Sequence, residues 1–169
     1  MKLKNKIALV TGGSRGIGSA IVNTLAREGA KVIFTYNSNK VAANNVSNLL
    51  KDEGIEATFY QMNVSDRESV RKVVNKVAEK YGKIDILVNN AGINKPTDFD
   101  LITDEDWDDI LNVNLKGPFI CTQEFLQLLT KSKSASVINI GSISGQYGGP
   151  RTAHYAVSKA GLISLSQVI

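Results

Sequence analysis

The chain has 169 residues, of which 43% are hydrophobic and 21% are charged, and its formal net charge is +4. This length is enough for one domain with a buried core, and the composition is typical of a folded domain rather than a disordered chain. Its apolar runs are much shorter than the roughly 20 residues that span a bilayer, and no signal peptide is recognisable. We therefore expect neither a membrane span nor an export signal.

The charged and sulfur-containing residues indicate the kind of partner and compartment. Lys and Arg outnumber Asp and Glu by 20 to 16, but they form no continuous basic block, so we expect no nucleic-acid binding. A mildly basic chain also suits a phosphorylated cofactor or an acidic carrier. The single cysteine, Cys121, cannot form an internal disulfide, which is consistent with a cytoplasmic protein.

Strand and helix patterns alternate along the chain, which is typical of a parallel sheet covered by helices. Buried strands are predicted over residues 6–11, 31–36, 57–62, 84–88 and 136–141. Helical spacing of apolar residues predicts helices over 16–28, 40–53 and 65–81, near 103–111, through 125–129 and from 152 onward. No internal repeat is present.

Short local patterns predict where the later helices begin, bend and end. Ser65 with Glu68 forms a capping-box pattern, and Thr103 with Asp106 predicts a second capped start. Pro118 is expected to kink or restart the helix in which it lies. The sequence stops inside a helical pattern, so we expect either a fragment or a last helix that is cut short.

The first strand leads into the glycine-rich turn T-G-G-S-R-G-I-G at residues 11–18 and then into a helix. Glycines allow the backbone to approach a pyrophosphate, and the helix N-terminus supplies N–H groups and partial positive charge. The turn is not a Walker A loop, because Ser19 stands where that motif requires lysine. A turn that serves packing alone is the alternative, but the flanking strand and helix favour phosphate binding.

The residues after the second strand indicate which dinucleotide would bind. NAD-selective folds usually offer a carboxylate to the ribose hydroxyls here, whereas residues 36–40 read Y-N-S-N-K. Arg15 lies in the glycine-rich turn, where its guanidinium could face a 2′-phosphate, and Asn37, Ser38 and Lys40 could add donors. This pattern favours NADP(H), with ordinary surface charge as the alternative explanation for Arg15 and Lys40.

Tyr155 and Lys159 are four residues apart, so on a helix they share a face. A free tyrosine has a pKa of about 10, and proton transfer near neutrality needs about three units less, or about 4 kcal/mol. A nearby ammonium favours the phenolate. Tyr36 and Lys40 have the same spacing, but Tyr36 ends a strand. Tyr155 begins a predicted helix after Ser142, which follows the fifth strand, and ligands bind at the carboxyl ends of such strands.

The glycine-rich turn, N-N-A-G at 89–92, Asn114, Ser142 and Y-A-V-S-K at 155–159 together resemble the short-chain dehydrogenase/reductase family in order and spacing. The resemblance covers the entire chain and is nearest to bacterial 3-oxoacyl-acyl-carrier-protein reductases and their acetoacetyl-CoA and sugar-oxidoreductase relatives. It implies an α/β fold with a doubly wound parallel sheet of the Rossmann type in three α/β/α layers. Residues 1–169 would form a single NADP-binding domain from which the C-terminal part of the family fold is missing.

The resemblance also implies roles for individual residues. Tyr155 would give a proton to the substrate carbonyl as hydride arrives from the nicotinamide, and Lys159 would bind the nicotinamide ribose and favour the phenolate. Ser142 would hydrogen-bond the substrate oxygen, and Asn114 would anchor a proton-relay water. Asn63 would lie near adenine, although many relatives carry aspartate there. The implied cofactor-binding residues are Gly12, Ser14, Arg15, Gly16, Ile17, Gly18, Asn37, Asn63, Val64, Asn90, Ala91, Gly92, Tyr155 and Lys159.

The substrate side is less specific. Ser142, Gln146, Tyr147 and Tyr155 are the candidate substrate contacts, and no metal site is expected. Lys131 and Lys133 could face an acidic carrier protein, or could simply be solvated charges at the end of a helix. His154 should face away from the site, because neighbouring residues of a helix point about 100° apart.

The expected activity is NADPH-dependent reduction of a ketone to a secondary alcohol, with a 3-oxoacyl thioester of acyl carrier protein or CoA as the favoured substrate. A sugar, polyol or other small-ketone dehydrogenase of the same family is the first alternative. A dinucleotide-binding fragment without catalytic activity is the alternative from a different class. The family tends to form tetramers through helices near 105–130 and 152–169, so a tetramer or dimer is expected if the missing segment is present.

Overall fold

The computed structural model describes residues 1–169 and contains one sheet of five strands. The strands are β1 (Ile7–Val10), β2 (Lys31–Tyr36), β3 (Ala57–Gln61), β4 (Ile86–Asn89) and β5 (Ser136–Asn139). They lie in the order β3-β2-β1-β4-β5, and every neighbouring pair is parallel. Strands β2 and β3 therefore extend the sheet on one side of β1, and β4 and β5 extend it on the other side. This is the predicted doubly wound arrangement, and it leaves a crevice at the carboxyl ends of β1 and β4.

Seven helices connect or cover the strands. They are α1 (Gly16–Arg27), α2 (Lys40–Asp52), α3 (Arg67–Tyr81), α4 (Asp104–Leu111), α5 (Gly117–Leu129), α6 (Ser144–Tyr147) and α7 (Ala153–Ser166). A 3₁₀ turn spans Phe99–Leu101, and a π-helical turn over Asn112–Lys116 joins α4 to α5. No helix is both long and apolar enough to cross a membrane.

The sheet separates two apolar clusters. Along β1, Leu9 faces the cluster formed with α3 and α5, whereas Ala8 and Val10 face the cluster formed with α1 and α2. Because helices cover both faces, all four residues of β1 are buried. This explains why the strand is a continuous apolar run rather than an alternating one.

The predicted capping box at the start of α3 is wrong. Asp66, not Ser65, is the N-cap, and its Oδ1 accepts a hydrogen bond from the backbone N–H of Glu68 at 3.0 Å. Ser65 instead donates its backbone N–H and its hydroxyl to Asn63 Oδ1, at 3.1 and 2.8 Å. The competing bonds to Asn63 keep Ser65 outside the helix.

The fourth strand begins later than predicted. Residues 84 and 85 precede β4, and the backbone N–H of Ile84 donates to the carbonyl of Leu128 in α5 at 3.1 Å. Ile84 is therefore bonded to a helix rather than to a neighbouring strand, although its side chain is buried. Its apolar side chain, next to the apolar run of β4, made it resemble a strand residue in the sequence.

The predicted break before α5 is confirmed. The π-helical turn interrupts the helical path immediately before Gly117, and Pro118 lies in the first turn of α5. Thr103 caps α4 as expected, since its Oγ1 accepts from the backbone N–H of Asp106 at 3.1 Å. The short helix α6 was not predicted, because four residues are too few to show an apolar periodicity.

Candidate functional site

The glycine-rich turn crosses the carboxyl end of β1 and leads into α1. Gly12 has φ of +65°, and a Cβ on Gly18 would collide with the carbonyl oxygen of Gly12, so the turn closes only without side chains at these positions. Arg15 is the N-cap residue of α1, and no side chain caps the first turn of this helix. The N–H groups and the positive end of the helix dipole are therefore available to an anion.

Two side chains connect this turn to the end of β4. Thr11 Oγ1 accepts hydrogen bonds from the backbone N–H groups of Asn90 and Ala91, both at 3.0 Å. Asn90 Nδ2 donates in return to the carbonyls of Thr11 and Gly12, at 2.9 and 3.0 Å. The floor of the crevice is thus fixed by side-chain to backbone bonds between two strands that lie far apart in the sequence.

A cleft of about 590 Å³ opens above this floor. Twelve of the fourteen predicted cofactor-binding residues line it: Gly12, Ser14, Arg15, Gly16, Ile17, Gly18, Asn37, Asn63, Val64, Asn90, Ala91 and Gly92. Tyr155 and Lys159 do not line it. The cleft wall also contains Tyr36, Ser38, Asn39, Met62, Ile93 and Val113, none of which is among those fourteen residues. Of these six, Met62 and Val113 are apolar residues with no motif of their own, and only their place in the fold identifies them.

The part of the cleft next to the end of β2 carries no carboxylate. Asn39 caps α2 by accepting from the backbone N–H of Ala42 at 2.9 Å. Arg15 lines the cleft, Lys40 is the first residue of α2, and both side chains are exposed. Asn63 Oδ1 is occupied by its two bonds from Ser65. These residues fit a dinucleotide with an additional phosphate better than one with free ribose hydroxyls.

The second group of site residues lies on α7. Lys159 is 5% exposed, and its Nζ donates to the carbonyl of Ile140, just after β5, at 2.7 Å. The same Nζ is 5.8 Å from the centroid of the Tyr155 ring, so the two side chains share one face of α7 as their spacing predicts. Burial lowers the pKa of Lys159 below its ordinary value.

Ser142 lies between β5 and α6. Its Oγ accepts from the backbone N–H of Ser144 at 3.2 Å, and its carbonyl accepts from the N–H of Gly145 at 3.0 Å. Gln146 and Tyr147 follow in α6 and are exposed. The predicted substrate contacts therefore flank the same end of the sheet as the glycine-rich turn, on the β5 side.

Asn114 is fully buried in the π-helical turn. Its Oδ1 accepts from the backbone N–H of Ile93 at 2.8 Å, while its Nδ2 donates to the carbonyl of Ile93 at 2.9 Å and to Ser158 Oγ at 3.2 Å. The side chain thus joins the loop after β4 to α7, and the water contact expected of Asn114 stays a prediction.

The remaining candidates lie outside the site. His154 is fully buried, and neither ring nitrogen has a hydrogen-bond partner. Cys121 is buried inside α5, as expected. Lys131 and Lys133 precede β5 and so lie at the amino end of this strand, whereas Ser142 follows its carboxyl end. Their position therefore does not support the interpretation that they face a carrier at the site.

The chain is similar in sequence to a known protein family and to curated proteins. Residues 6–169 match the model of the short chain dehydrogenase family. The chain is 41% identical to the 3-oxoacyl-acyl-carrier-protein reductase FabG of Thermotoga maritima over 99% of its own length and 68% of that protein. It is 39% identical to a 3-oxoacyl-acyl-carrier-protein reductase of Synechocystis over 99% of its length and 68% of that protein.

Similarity also extends to solved structures. A metagenomic short-chain oxidoreductase, crystallised in complex with NADP, superposes with a TM-score of 0.93 at 31% identity. The match covers 99% of this chain and 76% of that one. The chain spans about two thirds of the length of the curated relatives that it matches.

Proposed function

The chain belongs to the short-chain dehydrogenase family and is an oxidoreductase of the NADP-dependent kind, and from this premise we propose that it reduces a ketone to a secondary alcohol. The favoured substrate is a 3-oxoacyl thioester, the substrate class named in its curated relatives. The observation that carries the proposal is the pairing of Tyr155 with a buried Lys159 beside the carboxyl end of the sheet.

The proposed chemistry needs one proton from the protein. Bound NADPH would supply a hydride to the carbonyl carbon, and Tyr155 would donate its phenolic proton to the carbonyl oxygen. The C=O π bond breaks, a C–H and an O–H bond form, and the phenolate regains its proton from solvent. Lys159 favours that phenolate, because a positive charge in a poorly solvated position acts strongly on a nearby anion.

Ser142 and Asn114 would serve the same step in different ways. Ser142 is the candidate hydrogen-bond donor to the substrate oxygen, and its Oγ carries only one bond, accepted from a backbone N–H. Its hydroxyl proton is therefore free to donate. Asn114 would hold the loop of Ile93 against the helix that carries Tyr155, through its bonds to Ile93 and Ser158.

The cofactor would lie along the cleft, with its pyrophosphate at the N-terminus of α1. Gly12, Gly16 and Gly18 would allow its close approach, and Arg15 would face the 2′-phosphate. The support is the uncapped first turn of α1 and the missing carboxylate after β2. Residues 1–169 would act as one cofactor-binding domain.

The substrate class is supported by the apolar character of the surface next to Ser142. The side chains of Ile143 and Tyr147 are 70% and 81% exposed there, which suits contact with an acyl chain. The acyl group would be carried on acyl carrier protein or CoA, and the enzyme would act in the cytoplasm in fatty acid synthesis. A tetramer or dimer is proposed as the assembly.

The decisive experiment is the initial rate of NADPH oxidation with acetoacetyl-CoA, using this chain and its Tyr155→Phe variant. We expect turnover in the parent chain and a loss of about 10²- to 10⁴-fold in the variant, the usual contribution of a general acid. NADPH affinity should be nearly unchanged, because only the proton donor is removed. Tyr60→Phe is the matched control, because it also removes a tyrosine hydroxyl, from β3, and Tyr60 does not line the cleft.

Each other outcome has a distinct meaning. Equal turnover in the parent and Tyr155→Phe would refute the assignment of the proton donor. Turnover with small ketones or sugars but not with acetoacetyl-CoA would favour the alternative substrate class. NADPH binding without turnover on any ketone would assign the chain a cofactor-binding role only.

A further inference from the structure

Helices α6 and α7 approach so closely at Gly145 that no side chain would fit there. A Cβ on Gly145 would lie 2.7 Å from the carbonyl carbon of Lys159, 2.8 Å from the backbone nitrogen of Ala160 and 3.0 Å from the Lys159 Cβ. Ordinary contact begins at 3.4 Å, so an alanine here would push the two helices apart by about 0.7 Å. The obstructing atoms are mainly backbone and cannot rotate away.

The same short helix holds Ser142. The Ser142 hydroxyl accepts from the N–H of Ser144, and its carbonyl accepts from the N–H of Gly145. Ser142 is therefore tied to the first residues of α6, and α6 is seated directly on the backbone of Lys159. Tyr155 lies one turn before Lys159 on the same face of α7. The distance between α6 and α7 therefore determines the position of Ser142 relative to both side chains.

We propose that Gly145 is a positioning residue, which sets the separation between Ser142 and the Tyr155–Lys159 face of α7. The inference rests on the proposed function, because the separation matters only if Ser142 and Tyr155 both contact the substrate oxygen. Glycine in a helix costs stability relative to alanine, by roughly 0.5–1 kcal/mol. A residue chosen for the stability of α6 alone would therefore not be glycine.

The other side of α7 offers a matched control. Gly161 is one residue beyond Ala160, and the three atoms nearest to a Cβ there all belong to the side chain of Leu115, whose closest methyl would lie at 2.8 Å. Leu115 is partly exposed, and its methyl groups can move by side-chain rotation, which backbone atoms cannot. Gly161→Ala therefore disturbs the packing of α7 in the same region without moving α6.

The test is a double-mutant cycle on this chain with Gly145→Ala, Ser142→Ala and the combined variant. We expect Gly145→Ala to lower kcat for acetoacetyl-CoA by about 10- to 100-fold, the effect of a displacement near 1 Å, with NADPH affinity unchanged. In the Ser142→Ala background the same substitution should cost much less, because the hydroxyl that it misplaces is already absent. Gly161→Ala should reduce kcat far less than Gly145→Ala.

Two results would overturn the inference. One is full additivity of the Gly145→Ala and Ser142→Ala losses, and the other is an equal loss in Gly161→Ala, since both indicate general disruption of α7. Hydrogen exchange separates this inference from the proposed function. Even in a chain without ketone reductase activity, Gly145→Ala should speed amide exchange over 142–147 and leave 11–18 unchanged. Unchanged exchange over 142–147 would also overturn it.

Discussion

The two ends of the sheet both contain buried polar groups, but they use them differently. At the amino end, Asp85 is 1% exposed and accepts from the N–H of Ile7 at 2.9 Å, from Lys83 Nζ at 2.9 Å and from Ser132 Oγ at 2.6 Å. Lys6 Nζ lies 3.8 Å away. The hydrogen-bonding groups at this end are satisfied within the protein, which makes Asp85 a structural anchor.

At the carboxyl end, the bonds between Thr11 and Asn90 fix the floor of a cleft but leave donors unused above it. The first turn of α1 has no side-chain cap, and Arg15 faces solvent. Because all five strands run in the same direction, the two ends are chemically distinct, and ligands bind at the carboxyl end. A polar cluster whose hydrogen bonds are made within the protein therefore indicates a structural role, whereas unused donors beside a cleft indicate binding.

The largest effect on stability should come from the amino end. Asp85→Ala leaves the buried Ile7 N–H without its acceptor and removes the bonds from Ser132 and from the partly exposed Lys83, so we expect the free energy of unfolding to fall by about 2–3 kcal/mol. Urea denaturation followed by circular dichroism would measure it. The control is Asp52→Ala at an exposed position, where less than about 0.5 kcal/mol is expected. Equal losses in the two variants would remove the structural role assigned to Asp85.

The next largest effect should appear at the carboxyl end and only in binding. Arg15→Ala should weaken NADPH binding by about tenfold or more, because a charge-assisted contact is worth about 1.5–3 kcal/mol. NADH binding should hardly change, since NADH lacks the 2′-phosphate. Fluorescence titration with both cofactors would measure the ratio, and an equal loss for both would contradict the phosphate contact.

A smaller effect is expected on the stability of the fold at low pH. Burial by itself would raise the pKa of Asp85, but the hydrogen bonds from Ser132, Lys83 and the Ile7 N–H outweigh it and hold the pKa below its ordinary value. The stabilisation is therefore present above the unfolded pKa of about 4 and is lost as pH falls through the lower folded pKa. Urea midpoints from pH 7 to pH 3 should converge between the parent chain and Asp85→Asn. A constant difference across this range would contradict the expectation.

The smallest expected effect lies away from both ends. Burial raises the pKa of the Cys121 thiol to about 12, so the native chain should not react with a thiol reagent at pH 8. Full reaction is expected in denaturant. Rapid labelling under native conditions would show that α5 opens readily from the sheet.

Much of the fold was predictable because its signals are local. Alternating strand and helix patterns predicted the parallel sheet, and Thr103 with Asp106 predicted the start of α4. Where two local interactions competed, the prediction was wrong. Serine is a common N-cap residue, but Ser65 donates its hydrogen bonds to Asn63 instead of capping α3. Ile84 is buried like a strand residue, but its backbone N–H donates a hydrogen bond to α5 rather than to a neighbouring strand.

The candidate site divides in the same way. The sequence by itself determined the glycine-rich turn, the spacing of Tyr155 and Lys159 and the absence of a carboxylate after β2, because each depends on residues that are neighbours in the chain. Only the tertiary structure decided that Asn90 supports Gly12, that Asn114 connects Ile93 to Ser158 and that Gly145 rests on the backbone of Lys159. Those contacts join distant segments, and their distances depend on how whole helices pack against one sheet.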